Sequence, residues 1–146
     1  MAEAENRRVA LLSIHPQHAE AIMSGRKRVE LRRVRPSSPL SFVAVYATAP
    51  TSAIIGWFEV DGIDEASQTK IWTSYASVAG VTRAQFRGYF SGAPRAYAIR
   101  VRRAHRIDAP IPLGEVPGVA RPPQSFQYLD DRAAAIVGIP FPTVAH

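Results

Sequence analysis

The chain has 146 residues and a mass of 16.0 kDa, the length of one ordinary domain, and we expect residues 1–146 to form one. Its 47% hydrophobic and 21% charged residues argue against disorder and against a coiled coil. The absence of cysteine excludes disulfides, thiolate-ligated metals and cysteine nucleophiles. No apolar stretch reaches the roughly 20 residues that cross a bilayer. Residues 1–5 are acidic, unlike a signal peptide, so we expect a cytoplasmic protein that binds no membrane.

The net charge of +6 is concentrated in arginine, because lysine occurs only at positions 27 and 70 among the 18 basic residues. Arginine binds phosphate through two parallel hydrogen bonds, so this bias suits an anionic partner, although a GC-rich genome also produces it. Two runs hold 11 of the basic residues: Arg26, Lys27, Arg28, Arg32, Arg33 and Arg35, then Arg95, Arg100, Arg102, Arg103 and Arg106. If they adjoin in space, they form one phosphate-binding field.

The first half of the chain alternates short apolar runs with turn residues. Residues 9–14 predict a buried strand, and Pro16 opens a helix that Gly25 closes. Alternation over residues 28–34 predicts a strand with charges on one face. A loop follows at residues 36–39, and residues 42–48 and 53–60 predict two strands joined by a short connection at 49–52.

The second half begins with two predicted helices, over residues 68–77 and 82–91, and a strand over 96–102 that carries the second basic run. Five prolines within residues 109–123 predict an extended surface loop. A last strand at 125–129, a helix near 130–137 and a frayed tail over 140–146 complete the chain. These elements predict an α+β fold of about six mostly antiparallel strands with two or three helices.

The segment 24–33 is the most informative, since two cations lie three residues from one acid beside a glycine turn. It resembles the ASCH family, whose PUA-like domains share a Gly-x-Lys-x-x-Glu-x-Arg motif, matched here by Gly25, Lys27, Glu30 and Arg32. The resemblance continues through residues 12–16, 45–50, 55–60, 97–99 and 122–129, so it spans about residues 9–130. It implies a small β-barrel flanked by helices, with a cleft lined by the motif that binds RNA or nucleotides.

The resemblance also implies two candidate activities, both centred on Lys27 and Glu30. One ASCH branch deacetylates a modified cytidine with the motif lysine, a threonine three residues on and a helical glutamate; here Glu30 stands at the threonine position and Tyr75 near the glutamate. A second branch cleaves RNA, for which Lys27 or Arg32 would stabilise a pentavalent phosphate with Glu30 as base. An adjacent Glu30 would hold the proton on Lys27. Alternatively, Glu30 only orients the neighbouring cations.

The sequence favours a binding domain for single-stranded RNA, single-stranded DNA or a nucleotide, with a hydrolase of nucleic acid or of a modified nucleoside as the alternative. A sensor of a small ligand is a third possibility. The pair His15 and His18 is too small a ligand set for zinc, so we expect no metal and no cofactor. Trp57 alternates with a core Phe58, so it lies on the outer face or lines the cleft. The candidate binding residues are Lys27, Arg28, Arg32, Arg33, Arg35, Trp57, Tyr75, Arg100 and Arg102.

Overall fold

The computed structural model describes residues 8–36 and 39–140. These residues form one six-stranded sheet, ordered β2-β5-β4-β3-β1-β6, with four α-helices. The strands are β1 (Val9–Ile14), β2 (Val29–Arg32), β3 (Phe42–Ala47), β4 (Ala53–Ala66), β5 (Ala96–Ile111) and β6 (Gln127–Leu129). The helices are α1 (Pro16–Met23), α2 (Gln68–Tyr75), α3 (Arg83–Phe90) and α4 (Asp131–Val137).

The fold class is confirmed as α+β, with the six strands expected and one helix more than the two or three expected. One strand pair, β1 with β3, is parallel, and the other four pairs are antiparallel. Two strands run much further than predicted: β4 continues to Ala66 and β5 to Ile111. Polar residues and Pro110 concealed these extensions. Pro110 is tolerated because β2 ends its pairing near Arg100, leaving the far end of β5 with one neighbour.

Both faces of the sheet are covered by apolar side chains, which corrects the placement of Trp57. On one face Trp57 is 8% exposed, stacks on His105 at 4.1 Å between ring centroids and meets the Phe42 ring edge-on. That cluster extends under α4, whereas Phe58, fully buried, belongs to the cluster under α1 on the opposite face. Alternation along a strand therefore does not mark an exposed side here, and Trp57 is a core residue.

Some predictions fall on residues that lie outside the described ranges, namely residues 1–5, the loop positions 37–38 and the tail after residue 140. None of the helices in the described ranges is long and apolar enough to span a membrane.

Gly56 tests how tightly the sheet packs on α1, and Gly88 in α3 provides a control. A Cβ on Gly56 would lie 2.5 Å from the backbone oxygen of His105 and 2.6 Å from Sδ of Met23, whereas Gly88 in α3 faces open space. We expect Gly56→Ala to lower the free energy of unfolding by about 1–3 kcal/mol through overpacking. Gly88→Ala should raise it by up to about 1 kcal/mol, because alanine favours a helix. Urea unfolding of both variants measures this, and equal midpoints would contradict the packing.

Candidate functional site

A pocket of about 310 Å³ opens where the end of β1, the start of α1, strand β2 and helix α3 meet. Its walls carry the motif residues together with polar and aromatic side chains from all four elements. They include Ser13, His15, His18, Lys27, Glu30, Arg32, Gln85, Phe86 and Tyr89. The structure therefore brings together three of the predicted site residues: Lys27, Glu30 and Arg32.

The turn after α1 directs Lys27 into this pocket. Gly25 has φ +87°, a conformation that glycine adopts without strain, and the backbone N–H of Lys27 then donates to the Ala21 carbonyl at 3.0 Å. The Lys27 side chain is 2% exposed, and its Nζ donates to the carbonyl of Ala79. Gly80 (φ +70°) lies against the stem, since a Cβ there would come within 3.2 Å of three Lys27 carbons. The lysine is thus held between the α1 corner and the loop before α3.

Burial controls the charge of Lys27. Removal of the ammonium from water lowers the pKa of Lys27 below its ordinary value, and the opposing field of Glu30 only partly offsets this effect. Glu30 therefore raises the pKa of Lys27, as expected from the sequence, but burial and the nearby charge of Arg32 outweigh it. The Lys27 ammonium and the Glu30 carboxylate form no ion pair within 4.0 Å in the described structure, and the Ala79 carbonyl is the one hydrogen-bond acceptor that Nζ has there.

Glu30 instead pairs with Arg32, two residues along the same face of β2. Nε and Nη2 of Arg32 lie 3.0 Å and 2.9 Å from one oxygen of the Glu30 carboxylate, and both side chains are largely buried. Nη2 also donates to the Ser13 carbonyl at 2.9 Å, and the guanidinium lies 5.9 Å from the Phe126 ring centroid. The Arg32 guanidinium is therefore fixed in orientation at the pocket wall. This arrangement agrees with the interpretation in which Glu30 orients a neighbouring cation.

His18 also lines the pocket, although its sequence pattern had suggested nothing more than an incomplete zinc pair with His15. Its Nδ1 is buried and has no hydrogen-bond partner among the described residues. Burial, and then the nearby charge of Lys27, lower the pKa of His18, so the ring is neutral at neutral pH. His15 has a different role, because its ring accepts a hydrogen bond from the Gln17 N–H at the start of α1. The three-residue spacing of His15 and His18 at the start of α1 was the one sequence feature that pointed to His18 as a functional residue.

The remaining arginines of the first run lie outside the pocket. Arg28, Arg33 and Arg35 are exposed. Arg28 reaches the Val101 carbonyl at 3.4 Å, Arg33 donates to the Tyr89 carbonyl at 3.1 Å, and Arg35 pairs with Glu65 at 3.0 Å. Arg33 is thus bound to the last turn of α3, whereas Arg35 is neutralised by an acid.

The second basic run adjoins the first within the sheet but does not face it across a groove. Arg100 on β5 pairs in register with Val29 on β2. Its guanidinium contacts Asp64, Arg102 contacts Asp61 at 2.9 Å, and the Tyr75 hydroxyl donates to Asp64. These three predicted site residues thus belong to an ion-paired network away from the pocket, because the extension of β4 supplies the two aspartates.

The described ranges contain no group of three or more histidines and carboxylates close enough to hold a metal ion.

These features define a class of protein: an α+β domain in which a lysine buried after the first helix and a carboxylate–arginine pair on the next strand line one pocket. The sequence model of the ASCH domain matches residues 12–100, and the chain belongs to this family. The ASCH domain-containing ribonuclease of Zymomonas mobilis is 34% identical over 133 residues, which cover 88% of this chain and 89% of that protein.

Solved structures agree with this assignment. The crystal structure of ASCH from Zymomonas mobilis matches with a TM-score of 0.81 at 34% identity, covering 87% of this chain and 91% of that one. A serine-to-alanine mutant of the same protein gives a TM-score of 0.84 at 32% identity, covering 91% and 96% of the two chains.

The lowered pKa of Lys27 makes the stability of the protein depend on pH. The unfolded chain, with a lysine pKa of about 10.4, binds more protons than the folded one between the two pKa values, so the free energy of unfolding rises with pH across that window. We expect Lys27→Met to remove this rise and to be at least as stable near neutral pH. Urea unfolding of both proteins over a pH series measures the difference, in which the titration of tyrosines cancels. A difference that stays constant with pH would contradict the burial argument.

Proposed function

We propose that this chain binds single-stranded RNA and that one nucleotide occupies the Lys27 pocket. The observation that carries the proposal is the buried ammonium of Lys27, which gives one hydrogen bond to Ala79 and keeps its other donors for a ligand. A buried cation without an acid partner is costly, and a phosphate supplies the missing negative charge. The ribonuclease named among the relatives supports RNA as the source of that phosphate.

The shape of the pocket supports a nucleotide rather than a bare anion. Its volume of about 310 Å³ lies in the range of small-ligand sites. Arg32 provides a second, oriented donor, and the exposed Tyr89 ring lines the side formed by α3, where a base can stack. An unpaired strand fits this arrangement because its bases are free to turn into a pocket.

Binding is tested by fluorescence anisotropy of a labelled oligouridylate across a salt series. With three to five phosphates neutralised, the log–log slope of affinity against salt should lie between about −2 and −3.5. Arg32→Ala with Arg33→Ala should weaken binding and flatten the slope by about 0.7 for each phosphate that the variant no longer neutralises. Arg103→Ala with Arg132→Ala removes the same charge from exposed positions outside the pocket and serves as the control. Equal effects of the two double variants, or binding insensitive to salt, would refute the pocket as the site.

A specific observation also favours cleavage of the bound strand: His18 is neutral, lines the pocket and lies within the electrostatic reach of Lys27. Because Nδ1 is buried, Nε2 is the nitrogen that His18 presents to a ligand. In the reaction we propose, His18 takes the proton of the ribose 2′-hydroxyl and the 2′ oxygen bonds to phosphorus. The bond from phosphorus to the 5′ oxygen breaks, and that oxygen takes a proton from the Lys27 ammonium. Arg32 stabilises the charge on the non-bridging oxygens.

The products of this step are a 2′,3′-cyclic phosphate and a 5′-hydroxyl end, and solvent exchange returns the protons to their starting positions. The lowered pKa of Lys27 suits a proton donor, since a weakly held proton is transferred more readily. Glu30 is not needed as a base in this scheme, because His18 takes the proton and one oxygen of the Glu30 carboxylate pairs with Arg32.

Cleavage is tested with end-labelled RNA and the matching DNA strand. We expect RNA to be cut to a cyclic phosphate in the presence of EDTA and the DNA, which lacks the 2′-hydroxyl, to be bound but left intact. Lys27→Ala and His18→Gln should each lower the rate about 10²-fold or more, and His18→Gln should remove the acid limb of the pH profile, which lies below about pH 6.5. Cleavage that survives Lys27→Ala comes from another site or a contaminant, and cleavage abolished by EDTA would contradict the written mechanism.

A further inference from the structure

A second cavity, of about 330 Å³, lies between α2 and α3, beside the Lys27 pocket. Phe86 lines both cavities, so the two lie on either side of this residue of α3. The wall from α3 carries Arg83 and Arg87, and the wall from α2 carries Trp72 with Thr69 and Thr73. The reactions proposed above use none of these residues.

The two arginines of this cavity have no acid partner in the part of the chain that the structure describes. They are exposed and one helical turn apart, so their side chains lie next to each other. No aspartate or glutamate occurs between Glu65 and Asp108, which leaves both helices without a negative charge. Arg100, by contrast, contacts aspartates that project from β4.

The position of Arg83 is unfavourable for the helix itself. It is the first residue of α3, where the positive end of the helix dipole repels a cation. Helix stability therefore gives no reason for a positive charge at this position. A neighbouring anion does give one, because two adjacent guanidinium groups can each donate paired hydrogen bonds to one phosphate.

Trp72 adds a surface suited to a base. Its indole is half-buried, packed against the Phe86 ring at 5.2 Å between centroids and 53° between planes, and its remaining surface lines the cavity. An aromatic face beside paired cations matches the two parts of a nucleotide, a base and a phosphate.

We infer that the cavity between α2 and α3 is a second nucleotide subsite for the same RNA strand. A phosphate contacts Arg83 and Arg87, the base stacks on Trp72, and the strand passes over α3 to place its neighbouring part in the Lys27 pocket. This inference rests on the proposed function, because a strand must occupy the first pocket for the second to extend it.

The inference is tested by anisotropy of the labelled oligouridylate with Arg83→Ala combined with Arg87→Ala. We expect Kd to rise about tenfold, or about 1.4 kcal/mol, and the salt slope to flatten by about 0.7 for the phosphate released. The control is again Arg103→Ala with Arg132→Ala, which removes the same charge elsewhere. Thermal unfolding of each variant confirms that the fold is kept.

Tryptophan fluorescence gives an independent readout. The chain has two tryptophans, and Trp57 is buried in the core, so quenching by added oligouridylate should come from Trp72 and vanish in Trp72→Phe. If the wild-type protein binds RNA but the arginine variant matches its control, or the quenching persists in Trp72→Phe, the second subsite is refuted and the proposed function stands. If the wild-type protein binds no RNA, both proposals fail together.

Discussion

The buried ammonium of Lys27 is the constraint on which the rest of the site depends. An ammonium group loses most of its hydration at this depth, and Ala79 returns a single hydrogen bond. Each neighbouring feature makes that burial possible: Gly25 turns the chain inward, and Gly80 lets the loop before α3 approach the lysine stem. The spacing of the ASCH motif is thus a set of geometric conditions for placing one cation inside the domain.

The pairing of Glu30 with Arg32 divides the charges of the pocket into two kinds. Arg32 is neutralised by Glu30 and held in one orientation by Glu30 and the Ser13 carbonyl, so it presents hydrogen-bond donors in a fixed direction. Lys27 forms no ion pair in the described structure and interacts with Glu30 only at longer range, so it attracts an anion.

The sequence predicted the strand count, the order of the elements and three pocket residues, because periodicity and turn residues are local signals. It failed where distant segments decide the outcome. Trp57 is buried because α4 covers the face of the sheet that alternation marks as outer. Arg100 and Arg102 are neutralised because β4 continues past Val60 and carries Asp61 and Asp64 beside them. His18 becomes a pocket residue only once α1 packs against β3 and β5, and the spacing of the two histidines does not reveal that packing.

This redistribution of charge changes where an anion is attracted. The two basic runs hold most of the positive charge in the sequence. In the fold, however, much of the second run and Arg35 of the first are paired with acids. Arg83 and Arg87 on α3, by contrast, have no acid partner among the described residues, and the sequence holds no acid from residue 66 to residue 107. A protein field depends on the sum over nearby charges, so an approaching polyanion is drawn to the α3 side of the molecule. Helix α3 forms one wall of the Lys27 pocket, so the positive charge of Arg83 and Arg87 lies beside the buried lysine and adds to its attraction for an anion.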